Sequence, residues 1–287
     1  MNIQSGITKS DKGHVVNAEL EVKNVSGSSF IYHQLLPHPF HITVPFNING
    51  DPEDLISLYL QSSSGGLYDR DFHKFNLKLH QNSKLYLTSQ ASTIVHRAKE
   101  SIGAVLETNL TLLENSYLEF MPDPIILMAD SKFFGTTAVD LKSSSQAIVS
   151  ESFLVHDPDG NGTMFQECFS ETSIIIDDKL VANEKLHLLG EDYFARIKGY
   201  HCIGSIYIYN FGTGLADKLK QHIDNIKNIE NYYGLYPTVG ENLDYLNLNN
   251  LKVDFLYRNL DELAWQYCNK GFFNFKNFIP KIITNLV

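Results

Sequence analysis

The chain has 287 residues, of which 43% are hydrophobic and 20% charged, with a formal net charge of -10. That length and apolar content can bury a sizeable core, and the chain reads as one domain over 1–287. The acidic balance, with no run of Lys or Arg, excludes a binder of the nucleic-acid backbone, and no stretch approaches the roughly 18 apolar residues of a membrane-spanning helix.

Taken from the start, Met1 to Lys12 lacks the apolar segment of a secretory leader. The first clear strand signals come at Lys74 to Leu79 and Leu85 to Leu87, with Asn82-Ser83-Lys84 between them as a turn. The same order returns three times. Val105 to Leu113 is followed by Glu114-Asn115-Ser116 and Tyr117 to Phe120. Thr136 to Leu141 is followed by Ser143-Ser144-Ser145 and Ala147 to Val149. Ser173 to Ile176 is followed by Asp177-Asp178-Lys179 and a strand from Leu180. Counted from Asn82, Asn115, Ser144 and Asp177, the steps are 33, 29 and 33 residues. A supersecondary unit recurring at that period predicts stacked β layers or a solenoid-like pair of sheets. Within Val105 to Leu113, alternation places Leu106, Thr108, Leu110 and Leu112 on one side. Ile203 to Tyr209 is a further strand, and Ile206 to Tyr209 is apolar on both faces, so it is expected to be covered on both.

Helix signals come late. Leu215, Leu219, Ile223, Ile226 and Ile229 fall at helical spacing, with Gly234 and Pro237 as stop signals. A second helix starts near Asn259 with Glu262 in capping-box position, and Leu260, Leu263, Ala264 and Tyr267 line one face. The expected fold is therefore mainly β, a stacked two-layer or solenoid-like scaffold, with two helices near 214–231 and 259–278.

Motifs that would carry catalysis are missing their decisive residues. Ser62-Ser63-Ser64-Gly65-Gly66 has no following Lys, so it is a tight backbone site rather than a phosphate loop. Asp157, Asp159, Asn161 and Gly162 match the opening of a calcium loop, but position twelve is Cys168 instead of Glu. The 11 histidines include no HxH or HExxH; the nearest pair, His38 and His41, is interrupted by Pro39. There is no GxSxG. Cys168, Cys202 and Cys268 are dispersed and odd in number, which fits a reducing compartment; with no leader, a cytoplasmic location is expected. Met121-Pro122-Asp123-Pro124 stands out: two prolines hold the chain extended around an Asp between two apolar strands.

Four segments resemble, in order, the urease accessory protein family UreD (UreH). They are Ser62 to Leu67 ending in Asp71, a match to SSGGLxxGD; Leu87 to Thr93 with His96-Arg97, a match to TTQAATxxxR; Leu118 to Ile125, a match to LEYLPDPxI; and, loosely, Val253 to Arg258. Pro37 to Phe40 sits where that family has a Pro-containing stretch, and the resemblance covers roughly residues 28 to 265. The motif positions are Gly65, Gly66, Ser89, Gln90, Thr93, Arg97, Pro122 and Pro124. Asp69 and Arg70 stand where the family pattern has glycines, and Gln166 replaces a Gly, which marks a divergent member.

The resemblance implies a β-rich protein with no reaction of its own. Such a protein binds the helical accessory protein UreF and, with the GTPase UreG, docks on apo-urease and passes Ni²⁺ to its active site; it has no cofactor of its own. The late helices would suit contact with a helical partner, although packing on the core is the simpler use of their apolar faces. A transit path should hold Ni²⁺ weakly, through carboxylate, hydroxyl and water rather than clusters of imidazole or thiolate. Asp71, Asp123 and Glu167 are the expected lining residues, with Asp71 and Asp123 leading. Two other readings stand beside this one: a related scaffold serving a different partner, favoured if no urease genes neighbour this one, and a hydrolase on a β scaffold, which a turnover screen would detect.

Overall fold

Strand alternation governs the middle of the chain, and the strands it predicts stack as successive coils. The computed structural model describes residues 13–47, 54–100, 102–157, 161–196, 201–210, 231–237 and 250–257. Two sheets face each other. The first has seven strands: β1 (Val15–Val25), β2 (Ser28–Leu35), β5 (Phe72–Leu79), β8 (Ala104–Leu112), β11 (Lys132–Leu141), β13 (Glu167–Ile176) and β14 (Lys179–Leu189), in the order β14-β13-β11-β8-β5-β1-β2. The second contains β3 (Phe40–Ile42), β4 (Leu55–Ser62), β6 (Lys84–Ser89), β9 (Tyr117–Phe120), β12 (Gln146–His156), β15 (Cys202–Tyr209), β16 (Asn231–Pro237) and β17 (Asn250–Tyr257), in the order β16-β17-β15-β12-β9-β6-β4-β3. The short strands β7 (Thr93–Val95) and β10 (Ile125–Met128) pair with each other, and β10 also with β12.

Each coil runs from the first sheet through a tight corner into the second and back. Thus β5, β8, β11 and β13 pair in parallel, as do β6, β9 and β12. The corners are the predicted turns. Asn82 and Asn115 have φ of 59° and 56°, a left-handed conformation that Asn tolerates. Beside them Ser83, Ser116 and Ser145 are buried, at 0 to 1% exposure, because their hydroxyls satisfy corner carbonyls. Ser83 Oγ donates to His80 O, and Ser116 Oγ and Ser145 Oγ both donate to Leu113 O. Successive corners also bond to one another, through Tyr117 N to Ser83 O and Gln146 N to Ser116 O.

Residues at matching positions form rows across the first sheet. Leu77, Leu110, Val139 and Ile174 make one, and Leu79, Leu112, Leu141 and Ile176 the next. These rows meet Leu85, Leu87, Leu118 and Val149 of the second sheet in an apolar core on the corner side. A second core lies on the opposite side, around Val95, Leu127, Phe133, Phe153 and Phe165. The inward phase of β8 is the one its alternation predicts, and Ile206 to Tyr209 is covered on both faces, none of the four exceeding 2% exposure.

Two expectations need correction. The fourth repeat does not cross to the second sheet. Asp177 and Asp178 both take positive φ, 46° and 64°, the geometry of a two-residue hairpin turn, so β14 returns antiparallel to β13 within the same sheet. The expected helix ending at Gly234 and Pro237 is also overturned at its end: Asn231–Pro237 is strand β16, paired with β17. Apart from Asn231, the spans 214–231 and 259–278 lie outside the described residues. Among the described residues, helix is confined to a 3-10 turn, Gly190–Asp192, leading into the single α-turn Tyr193–Arg196, and no helix is long and apolar enough to cross a membrane.

Candidate functional site

Between the two apolar cores the facing sheets enclose a cavity of about 370 Å³. Its space comes partly from Gly135 of β11, where an added β-carbon would stand 2.8 Å from Phe133 Cε1 and 3.3 Å from Ser170 Oγ. Here the inward rows turn polar. The register sets Phe75, Thr108, Thr137, Thr172 and Glu184 side by side across β5, β8, β11, β13 and β14. Three strand spacings, roughly 14 Å, separate Thr108 from Glu184. Opposite them β12 contributes Glu151, whose carboxylate accepts hydrogen bonds from Ser170 Oγ and, at 3.1 Å, from Thr172 Oγ1. Further along, Tyr207 Oη donates to Glu184 Oε2 at 3.0 Å. Hydroxyls and two carboxylates therefore follow one another along the axis of the coils.

Glu151 is absent from the residues singled out by sequence. Its signal was one of phase. Ala147, Val149, Phe153 and Val155 of β12 are buried in the two cores, and Glu151 falls on the same alternation. A carboxylate at an inward position of an apolar strand implies partners inside.

The mouth of the cavity is built by three of the motif segments. Gly66, at φ 130°, brings the backbone so close to β7 that a β-carbon would meet Ile94 O at 2.1 Å, and Leu67 N donates to that same carbonyl. β7 in turn pairs with β10, Thr93 opposite Ile125. Ser89 Oγ accepts from Asp123 N at 2.7 Å, Thr88 Oγ1 donates to Met121 O, and Gln90 joins Gln61 through their side-chain amides. Ser62 and Ser64 to Leu67, Ser89 to Ile94, and Pro122 with Asp123 thus share one wall.

The expected lining residues fall in different places. Asp123 is in the wall and only 6% exposed, between Pro122 and Pro124. Asp71 is buried outside it: its two oxygens accept the backbone N–H groups of His14 and Tyr68, at 2.8 and 2.9 Å. Glu167 is on the outer face of β13, paired with Lys132 at 2.8 Å and His187 at 2.9 Å. Burial would raise its pKa, but these two partners hold it below the ordinary carboxylate value. Of the other motif positions, Gly65, Gly66, Ser89, Gln90, Thr93 and Pro122 line the cavity, whereas Arg97 bonds Asp130 at the surface. Among the described residues, no three His, Cys, Asp or Glu side chains are grouped so as to hold a metal ion.

The model of the family described as UreD urease accessory protein matches residues 15–241. The chain belongs to the UreD family. Similar proteins include urease accessory protein UreD 1 of Methylorubrum extorquens (strain PA1), 35% identical over 153 residues, or 53% of this chain and 52% of that protein. UreD 3 of Bradyrhizobium sp. (strain ORS 278) is 31% identical over 54% of this chain and 55% of that protein. UreD of Haloquadratum walsbyi (strain DSM 16790 / HBSQ001) is 28% identical over 63% of this chain and 64% of that protein. The chain spans about half the length of the first two of these relatives. All three are named as accessories to an enzyme rather than as enzymes. The positions that depart from the UreD pattern are structurally accommodated. Asp69 accepts the backbone N–H groups of Glu100 and Gly103, and Arg70, at φ 73°, pairs with the Glu100 carboxylate. Gln166 works through its backbone, donating to Ser131 O and accepting from Gly190 N.

Proposed function

We propose that this protein is a non-catalytic urease maturation factor of the cytoplasm. In this reading it acts with UreF and the GTPase UreG on apo-urease, and Ni²⁺ crosses it as cargo along the inter-sheet cavity. The observation that supports this reading is the convergence of three family segments on one cavity whose polar groups continue along the coil axis. Isolated hydroxyls and carboxylates suit transit: each offers Ni²⁺ a weak, exchangeable oxygen ligand, and none forms a closed cage that would retain it. Asp123 at the wall and Glu151 within are the carboxylates best placed to touch the ion. Asp71 serves the passage indirectly by holding the backbone beside it, so its replacement would perturb local structure as well as transport. Glu167 is engaged with Lys132 and His187 on the outer face and has no direct part in this reading.

The test is Glu151→Gln in cells carrying the cognate urease operon. Gln keeps the size and can still accept from Ser170 and Thr172, but it removes the charge that would attract a divalent ion. Urease activity should fall most at limiting nickel, while the thermal transition of the purified variant stays close to that of the parent. Full activation at limiting nickel would sink the passage through this cavity.

A further inference from the structure

One end of the cavity reaches His73, and two more imidazoles lead from His73 to the surface. His73 points inward from β5, is 4% exposed, and lines the cavity. Its Nε2 has no hydrogen-bond partner among the described residues. A buried polar atom in that position normally costs free energy unless something else satisfies it. The ring of His14 lies edge-on to it at 5.7 Å, and the ring of His38 lies 5.6 Å from His14. Both outer histidines are exposed. Phe40 closes the other side of His73 at 5.5 Å.

This arrangement is held by backbone, leaving the rings uncommitted. His14 N donates to Asp71 Oδ1 and His14 O accepts from Phe72 N, so the main chain of His14 is pinned on both sides. A turn closed by Phe40 N to Pro37 O presents His38. Burial holds His73 below the ordinary histidine pKa; Asp71 opposes that shift, and His14 and His38 add to it. A neutral imidazole is the form that ligates metal.

The geometry points to a binding path for a divalent transition-metal ion, in which His38 and His14 take the ion at the surface and His73 hands it into the cavity. The ion class follows from the donor. Imidazole nitrogen favours Ni²⁺, Zn²⁺ and Cu²⁺ over the oxygen-seeking Mg²⁺ and Ca²⁺. The three rings form a file rather than a preformed cage, so the ion would exchange one ligand at a time. The proposal rests on the transit reading for its purpose but not for its binding chemistry, and Asp71 is a positioning residue in it.

The experiment is Ni²⁺ titration of the full chain with its histidine rings labelled for NMR. Paramagnetic broadening is short-ranged, so loss of the buried His73 signal requires the ion at His73 or at the His14 ring 5.7 Å away; coordination by His73 itself is read as a weaker Ni²⁺ affinity in His73→Gln. At up to one equivalent of Ni²⁺, the signals of His14, His38 and His73 should disappear before those of the other eight among 11 histidines. In the double variant His14→Asn, His38→Asn, His73 should remain sharp. Those replacements keep the backbone bonds of His14, and an unshifted His187 signal reports the intact fold. A sharp His73 in the parent, or equal broadening in the double variant, overturns the proposal. Glu151→Gln separates the two readings. Loss of urease activation by that variant with a nickel-blind His73 removes the histidine path alone. Full activation by it with selective broadening at the three histidines removes the transit reading alone.

Discussion

At Gly66 the whole wall of the site depends on the absence of one carbon atom. With φ at 130° and Ile94 O 2.1 Å from the place a β-carbon would take, no other residue fits without moving β7. Gly66→Ala is therefore expected to destabilise the chain by about 2 kcal/mol or more, read as a lower denaturant midpoint. If the proposed maturation role holds, urease activation should fall with it, since β7 carries Thr93 and pairs with β10 beside Asp123. Arg70 shows the contrasting case. It occupies a left-handed position where the family pattern has Gly, and its charge on Glu100 offsets part of the conformational cost. Sequence alone identified Gly66 and Asp123 because short motifs name positions. It could not show that Asp71 and Asp123 lie in different places, because both are acidic motif residues and only the folded backbone reveals that Asp71 accepts two N–H groups outside the cavity wall.

The unit of construction is the corner between a strand of one sheet and its successor in the other. Each corner must satisfy buried carbonyls while reversing into the next layer, and a serine hydroxyl does this at the smallest volume. Ser116 shows the cost most plainly, since its Oγ donates to Leu113 O at 2.6 Å in a site 1% exposed. Ser116→Ala should cost about 1 to 2 kcal/mol in equilibrium unfolding, whereas an exposed serine such as Ser28 should tolerate the same change with little effect. These corners were legible because turn residues recur at an even period between alternating segments. The departure at Asp177-Asp178 was not, because crossing and hairpin turns share the same polar residue types. The difference lies in one additional positive φ, which a string of letters does not show. Glu151 was legible in principle, by phase along β12, but an acidic residue flanked by Ser150 and Ser152 looks like an ordinary solvent-facing patch until the strand's inward side is known.

Across the whole molecule, acidic residues are tied down at distant points on the outside of the first sheet. Glu21 is held below its ordinary pKa mainly by its hydrogen bond with His80, and Glu167 by Lys132 and His187 against the effect of its own burial. A carboxyl depressed in the folded state contributes stability that is fully present above its unfolded value, here 4.5, and lost as pH falls through the folded value. Melting temperature should accordingly drop as the pH is lowered from 5, and the Glu167→Gln variant should show a shallower slope over that window. The net charge of -10 works in the other direction at neutral pH, keeping copies apart in solution.

A stack of parallel coils behaves like a one-dimensional crystal, in which every finished layer is a template for the next. Such an object needs something that stops growth. The Asp177-Asp178 reversal supplies it by laying β14 down backwards, out of step with the layers before it and kinked by the register shift at Ile174 and Ile175. The terminal layer also carries Lys179, Lys185 and His187 on exposed positions, so a second molecule meets charge and the wrong polarity where it would need a matching strand. The two aspartates therefore mark where the first sheet ends: a coil that cannot be copied is what keeps a stack from becoming a fibre.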